Sequence, residues 1–235
     1  MGLYATGRTT GIALNVGFSN SRIISVFDGF CNTKLNININ VGGSTITDKL
    51  SELLSNKISF EDWPKYRILE KIKKNFCYVR KQFFTKDPQK VVFKLPDNTQ
   101  IELKEERYLP SESIFGEYSF VSEQLIPKNK ISISESIFHM ASALFTQEDY
   151  DVDSFNNVLV FGSSSHLEGF SERLEHDFRK VDTNHSNLKF HYYPSTFHNW
   201  TGGSILASLS NYGGMWVSKH EYEEYGPDVI NRKCL

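Results

Sequence analysis

Apolar and polar positions along the chain switch between a period of two and a period near 3.6, and the switches mark out an order of strands and helices. Residues 11–16 (Gly-Ile-Ala-Leu-Asn-Val) and 22–27 (Arg-Ile-Ile-Ser-Val-Phe) are rich in β-branched side chains on either side of Gly17-Phe-Ser-Asn20. That composition predicts two strands around a turn. From Lys34 to Val41, Leu35, Ile37, Ile39 and Val41 alternate with asparagines, the pattern of a strand with one face buried. Gly42-Gly43 breaks it, and Ser44 to Leu54 reads as a helix. Beyond Pro64, Ile68, Ile72, Phe76, Val79 and Phe83 recur at spacings of four, four, three and four, which predicts one long helix with a single apolar stripe. Lys71, Lys73, Lys74, Arg80 and Lys81 form its basic side, read as a solvated face.

Further on, Val91-Val-Phe-Lys-Leu95 and Gln100-Ile-Glu-Leu-Lys104 flank Pro96-Asp-Asn-Thr99, the signature of a hairpin. Ile133 to Phe145 is helical by pattern. Val158-Leu-Val-Phe161 is a short apolar strand, followed by Gly162-Ser-Ser-Ser165 and a helix from Gly169 to about Val181. Phe190-His-Tyr-Tyr193 predicts another strand, and 202–210 and 219–225 predict helices. Strands alternating with helices indicate an α/β architecture.

Composition narrows the function classes. The 235 residues suffice for one large domain or two small ones. A hydrophobic share of 39%, with 14% aromatic, is that of a chain that builds a core. The net charge of −2 and pI near 6.4 give no basic field for a nucleic acid. No apolar run approaches the ~20 residues of a membrane span, and the first residues lack a signal peptide's apolar stretch. Met1-Gly2 fits the short myristoylation pattern only by its commonest positions. Cys31, Cys77 and Cys234 are odd in number and widely spaced, which suits a reduced cytosolic or nuclear setting. The triplets Asn184-His-Ser and Asn199-Trp-Thr then carry no glycan. The seven histidines lack metal-ligand spacing, so no metal site is expected.

Two motifs go further. The segment Trp200-Thr-Gly-Gly-Ser-Ile-Leu-Ala-Ser-Leu-Ser210, running on to Gly226-Pro-Asp-Val-Ile-Asn-Arg-Lys-Cys-Leu235, closely resembles the C-terminus of actins. Leu3-Tyr-Ala-Thr-Gly-Arg-Thr-Thr-Gly11 resembles a segment from the middle of an actin, and the pieces between keep the family's order. The resemblance is strong at 3–11 and 200–235, intermediate at 41–54, 72–79 and 157–170, and weak at 85–156. It implies an actin-like, ribonuclease-H-like ATPase fold, represented by the larger lobe plus the C-terminal segment that crosses to the other lobe. Residues 1–41 and 130–199 would form the core of that lobe, 42–129 an inserted small subdomain, and 200–235 the crossing segment. The family's front part, with its first phosphate loop, would precede residue 1.

The resemblance also implies a nucleotide cleft, where two hairpin loops clamp the phosphates of ATP or ADP with Mg or Ca. Backbone N–H groups make such clamps generally. The second loop should read Asp-Ser-Gly-Asp-Gly-Val-Thr-His, whereas this chain has Asn15-Val16-Gly17-Phe18-Ser19-Asn20-Ser21-Arg22. Asn15 and Phe18 replace carboxylates, Ser19 replaces a glycine, and Arg22 replaces a histidine with a base that stays protonated. A plain hairpin turn is the alternative reading. The family's basic-acidic pair corresponds to Lys73-Lys74, with a Lys in place of the Glu at the ribose. Its Gly-Gly-Thr-Thr loop appears as Gly162-Ser163-Ser164-Ser165, and its lysine before the tryptophan motif as Thr196. No residue is assigned a catalytic role, and nucleotide is expected to bind weakly if at all.

A second site of the family is better kept. Its apolar groove takes amphipathic partner helices or a neighbouring filament subunit, and its lining maps onto Tyr4, Gly7, Thr9, Gly29, Phe30, Leu206, Leu209 and Met215. Aromatic, Leu and Met side chains suit a groove that reads a helix face. Gly7 and Gly29 as turn residues, with Leu206 and Leu209 as core, is the competing account. The resemblance thus implies a cytoplasmic or cytoskeletal protein, with the nucleus possible, whose partners are actin, actin-binding proteins or further copies of itself. The alternatives are an ATP-binding filament subunit that hydrolyses slowly and an actin-related subunit of a chromatin-remodelling complex.

Overall fold

The computed structural model describes residues 1–58, 64–81, 89–116, 132–146, 155–182, 187–193 and 195–233. The chain divides into two units, one of residues 9–196 and one of residues 1–8 with 197–235.

The larger unit is built on a five-stranded sheet. β1 (Gly11–Val16), β2 (Ser21–Phe27) and β3 (Phe30–Ile39) form an antiparallel meander, with a register shift between Ile24 and Val26. Two further sheet strands, β6 (Asn157–Phe161) and β7 (Lys189–Tyr192), join in parallel, giving the order β3-β2-β1-β6-β7. The period-two pattern does its expected work: Leu35, Ile37 and Ile39 are buried with Ile12, Leu14 and Ile23. Helices α4 (Ile133–Phe145) and α5 (Phe170–Val181) contribute Ile137, Met140, Phe170 and Leu174 to the same core. Ser132 opens α4 as a capping box, its hydroxyl accepting from the Glu135 N–H while the Glu135 carboxylate accepts the Ser132 N–H.

Among the described residues this unit also holds three more α-helices and a hairpin. They are α1 (Gly43–Leu54), α2 (Lys65–Phe76), the pair β4 (Val91–Lys94) and β5 (Gln100–Leu103), and the short α3 (Leu109–Glu112). Leu50, Leu54, Ile68, Leu69, Ile72, Phe93 and Leu103 make a second core, while Ile46 from α1 belongs to the first. Arg173 of α5 is buried yet paired, bonding Glu112 at 2.7 Å and Asp177 at 2.6 Å.

The long helix expected from Pro64 stops at Phe76. The following Cys77 is extended, and the N–H groups of Tyr78 and Val79 donate to Arg107 O and Glu168 O. Val79 is still buried, so the apolar stripe was a true core signal carried over a bend. Phe83 lies outside the described residues. Lys73 departs from the solvated reading of the basic side, being only 8% exposed.

The smaller unit holds a 3-10 turn at Tyr4–Thr6, α6 (His198–Ser208), a 3-10 segment at Ser210–Met215, α7 (Lys219–Tyr225) and α8 (Val229–Lys233). Ser218 and Glu221 cap α7 reciprocally, and Lys233 ties α8 to it through Glu221 at 2.7 Å. No helix among the described residues is long and apolar enough to cross a membrane.

Candidate functional site

β1 and β6 run parallel and adjacent, so the turns that leave them emerge at the same edge of the sheet. Crevices outside the carboxyl ends of parallel strands are the usual ligand sites of α/β sheets. Here the first turn is Gly17–Asn20, closed by the Gly17 N–H donating to Asn20 O at 3.1 Å. The second begins at Gly162 (φ 104°), packed so close that a Cβ there would stand 2.4 Å from Val16 O and 2.7 Å from Asn15 Oδ1. Asn15, Gly17 and Gly162 thus lie together.

A cavity of about 600 Å³ opens beside these turns. Its walls come from Phe18, from Ile46 of α1, from Glu70, Lys73 and Lys74 of α2, and from the 163–168 segment, with Thr196 at the edge. Four of the residues expected at a nucleotide, Lys73, Lys74, Ser163 and Thr196, therefore line one cavity. Its volume lies in the range of small-molecule sites.

The polar groups of the wall are largely spent on the protein itself. The Gly17 carbonyl accepts from the Gly43 N–H at 3.0 Å and from the Ser164 hydroxyl at 2.9 Å. The Phe18 carbonyl accepts from the Ser44 N–H at 2.7 Å. These carbonyls satisfy the first orphan donors of α1, which a helix start must place somewhere. The Lys73 ammonium donates to Gly43 O at 3.1 Å, to Thr47 Oγ1 at 2.8 Å and to the Glu70 carboxylate. It also stands 5.3 Å from the centre of the Phe18 ring, a cation–π distance. Lys74 is 72% exposed and reaches Glu70 only at 3.8 Å. Cys77 closes part of the wall, and burial pushes its thiol up to about 12.

Residues 1–235 match the family model described as Actin. The chain belongs to the actin family. Its fold is accordingly actin-like, and the mixed sheet with its covering helices agrees with that. Phe18 lines the cavity and Asn15 lies on β1 just before the first turn, and neither supplies a carboxylate. Among the described residues no three His, Cys, Asp or Glu side chains gather for a metal.

The expected groove residues fall in both units: Tyr4, Gly7, Leu206, Leu209 and Met215 in the smaller, Thr9, Gly29 and Phe30 in the larger. Gly7 (φ 71°) and Gly29 (φ 84°) are both turn residues in the left-handed region, where other side chains are strained. Phe30, Leu209 and Met215 are exposed, whereas Leu206 is half-buried.

Sequence reasoning missed Glu70 and Thr47, the partners that hold Lys73. The spacing from Glu70 to Lys73 is that of a helical ion pair, so the signal was present. Thr47 has no such signal, since its place beside Lys73 depends on how α1 packs on α2.

Proposed function

We propose that this actin-family chain works by binding a partner or a filament, and that nucleotide contributes little to that binding. The observation that carries the proposal is the apolar surface of the smaller unit, where Trp200 is 74% and Leu209 43% exposed beside exposed Phe197, Met215 and Trp216. Large apolar side chains gathered on one short stretch mark an interaction surface more often than a solvent face. The partners that fit are an amphipathic helix of the kind actin-binding proteins present, actin itself, or a second copy of the chain.

The nucleotide cleft supports the same reading from its other side. Charged hydrogen bonds are worth roughly 1.5–3 kcal/mol each. Replacing two metal-shell carboxylates and the ribose-side Glu therefore removes on the order of 5 kcal/mol, about a thousandfold or more in affinity.

One observation favours a second reading, an ATP-binding filament subunit with slow hydrolysis: the cavity has the volume and the place for a nucleotide. Two titrations separate the readings. Labelled ATP with magnesium should bind more weakly than micromolar, while a labelled amphipathic actin-binding peptide should bind equally with and without Mg-ATP. Sub-micromolar ATP binding, or peptide binding that requires it, would establish the second reading instead.

A further inference from the structure

We propose that Lys73 is a built-in counter-charge that fastens the cleft wall, joining the start of α1 and the turn that leaves β1 to α2. This rests on the reading that nucleotide binds weakly. The ammonium ties two other elements to its own helix: it meets Gly43 O and Thr47 Oγ1 of α1 and the Phe18 ring on the turn that leaves β1, while Glu70 pairs with it from one turn back on α2.

The geometry is that of a buried charge with its needs met. An ammonium has three protons to donate, and here three oxygen acceptors receive them. The Phe18 ring, 5.3 Å from the nitrogen, adds an aromatic face that attracts a cation without needing a proton. A lysine this far from water is costly unless it is paired and hydrogen-bonded, and Lys73 is both. The Thr47 hydroxyl extends the chain of bonds by donating to Gly43 O at 2.9 Å.

What Lys73 fixes follows from its neighbours. Gly43 donates its own N–H to Gly17 O, and Ser44 donates to Phe18 O. Pulling on Gly43 O from inside therefore also sets the turn against the helix start. Gly43 has no room for a side chain there, since a Cβ would stand 2.8 Å from Ser164 Oγ and 3.4 Å from Lys73 Nζ. An anion that recruits Lys73 would have to compete with the Glu70 carboxylate already paired to it, so turning this ammonium to a phosphate costs the bonds that hold the wall.

Hydrogen exchange on the full chain tests this locally, reading peptides that span 15–20 and 42–47 in the absence of nucleotide. Lys73→Met should speed exchange there by about tenfold, because those amides are protected through bonds that Lys73 holds. Phe18→Leu, at a ring that is 52% exposed, should give a smaller acceleration in the same two peptides. Lys74→Met removes an equal charge from the exposed neighbour and should leave both peptides unchanged. Unchanged exchange in Lys73→Met overturns the proposal; should that variant not fold, unchanged exchange in Phe18→Leu does so. Acceleration in Lys74→Met equal to that in Lys73→Met also overturns it, by showing that net charge alone matters. Slower exchange of the wild type on adding Mg-ATP would count against weak nucleotide binding and leaves the comparison without nucleotide to judge Lys73.

Discussion

The Ser164 hydroxyl donates a 2.9 Å hydrogen bond to the carbonyl of Gly17, joining two turns that lie 147 residues apart in the chain. The Gly17 carbonyl keeps a second donor, the Gly43 N–H, at 3.0 Å. Removing the hydroxyl therefore strands no buried acceptor, and the loss is the net worth of one bond. Ser164→Ala should cost about 1 kcal/mol, which lowers the melting temperature by roughly 2–4 °C in a domain of this size. A loss above about 3 kcal/mol in urea denaturation would mean that the hydroxyl does more than join the turns.

The tryptophan-glycine motif makes a sharper test, because its two glycines face different surroundings. A Cβ on Gly202 would stand 1.9 Å from Met1 O and 3.3 Å from the Ala5 N, both backbone atoms that cannot swing aside. On Gly203 the nearest atom is the end of the Met1 side chain at 4.0 Å. Gly202→Ala should therefore destabilise the smaller unit by about 2 kcal/mol or more. Gly203→Ala should be neutral or gain up to about 1 kcal/mol from helix propensity. Limited proteolysis of residues 1–8 and urea melts read both; equal effects from the two variants would contradict this packing.

Cysteine chemistry should divide by burial. With the Cys77 thiol held near 12 by burial, its thiolate fraction at pH 8 is on the order of 10⁻⁴. Cys31 is also raised by burial but is exposed, so reagent reaches it. Iodoacetamide at pH 8 should label Cys31 in the native chain and Cys77 only after denaturation, as peptide mass mapping would show. Folding raises the Cys77 value from 9.0 to about 12, so its contribution is whole below pH 9 and is lost as pH rises toward 12. Cys77→Ser should flatten that alkaline decline; Cys234 lies outside the described residues.

How much of this was legible depends on where each signal lives. β-branched composition around a turn located β1 and β2, and helical periodicity located α4, almost to the residue, because each contributes a compact run of side chains to a single core. Helical periodicity ran on past Phe76 because Val79 sits at a helical spacing but is held by Glu168 O, a partner far off in sequence. It began α6 at 202 instead of His198, since two glycines inside a helix mask its start. That Asn15 and Phe18 stand where the family's loop carries carboxylates was readable from the resemblance. The burial of Lys73 was not, because a charge on a helix shows its partner only after α1 has packed against α2.

Leu209 gives the test of partner binding. It follows α6 as its C-cap, with its N–H bonded to Leu206 O at 3.2 Å and its side chain exposed. An aspartate there keeps the backbone bond and meets water in the free chain, so Leu209→Asp should fold with unchanged circular dichroism. Under a bound amphipathic helix the same carboxylate would lose its water without a partner, a cost of several kcal/mol. Truncating an apolar anchor at the centre of such an interface commonly costs more than ~1 kcal/mol by itself. Affinity for an actin-binding helical peptide should therefore fall by at least about a hundredfold in Leu209→Asp. Asn15→Ala lies at the cleft end of β1, in the larger unit, and should leave that affinity unchanged. Equal binding by both variants, or loss in both while they stay folded, would place the partner elsewhere than on the surface that carries Leu209.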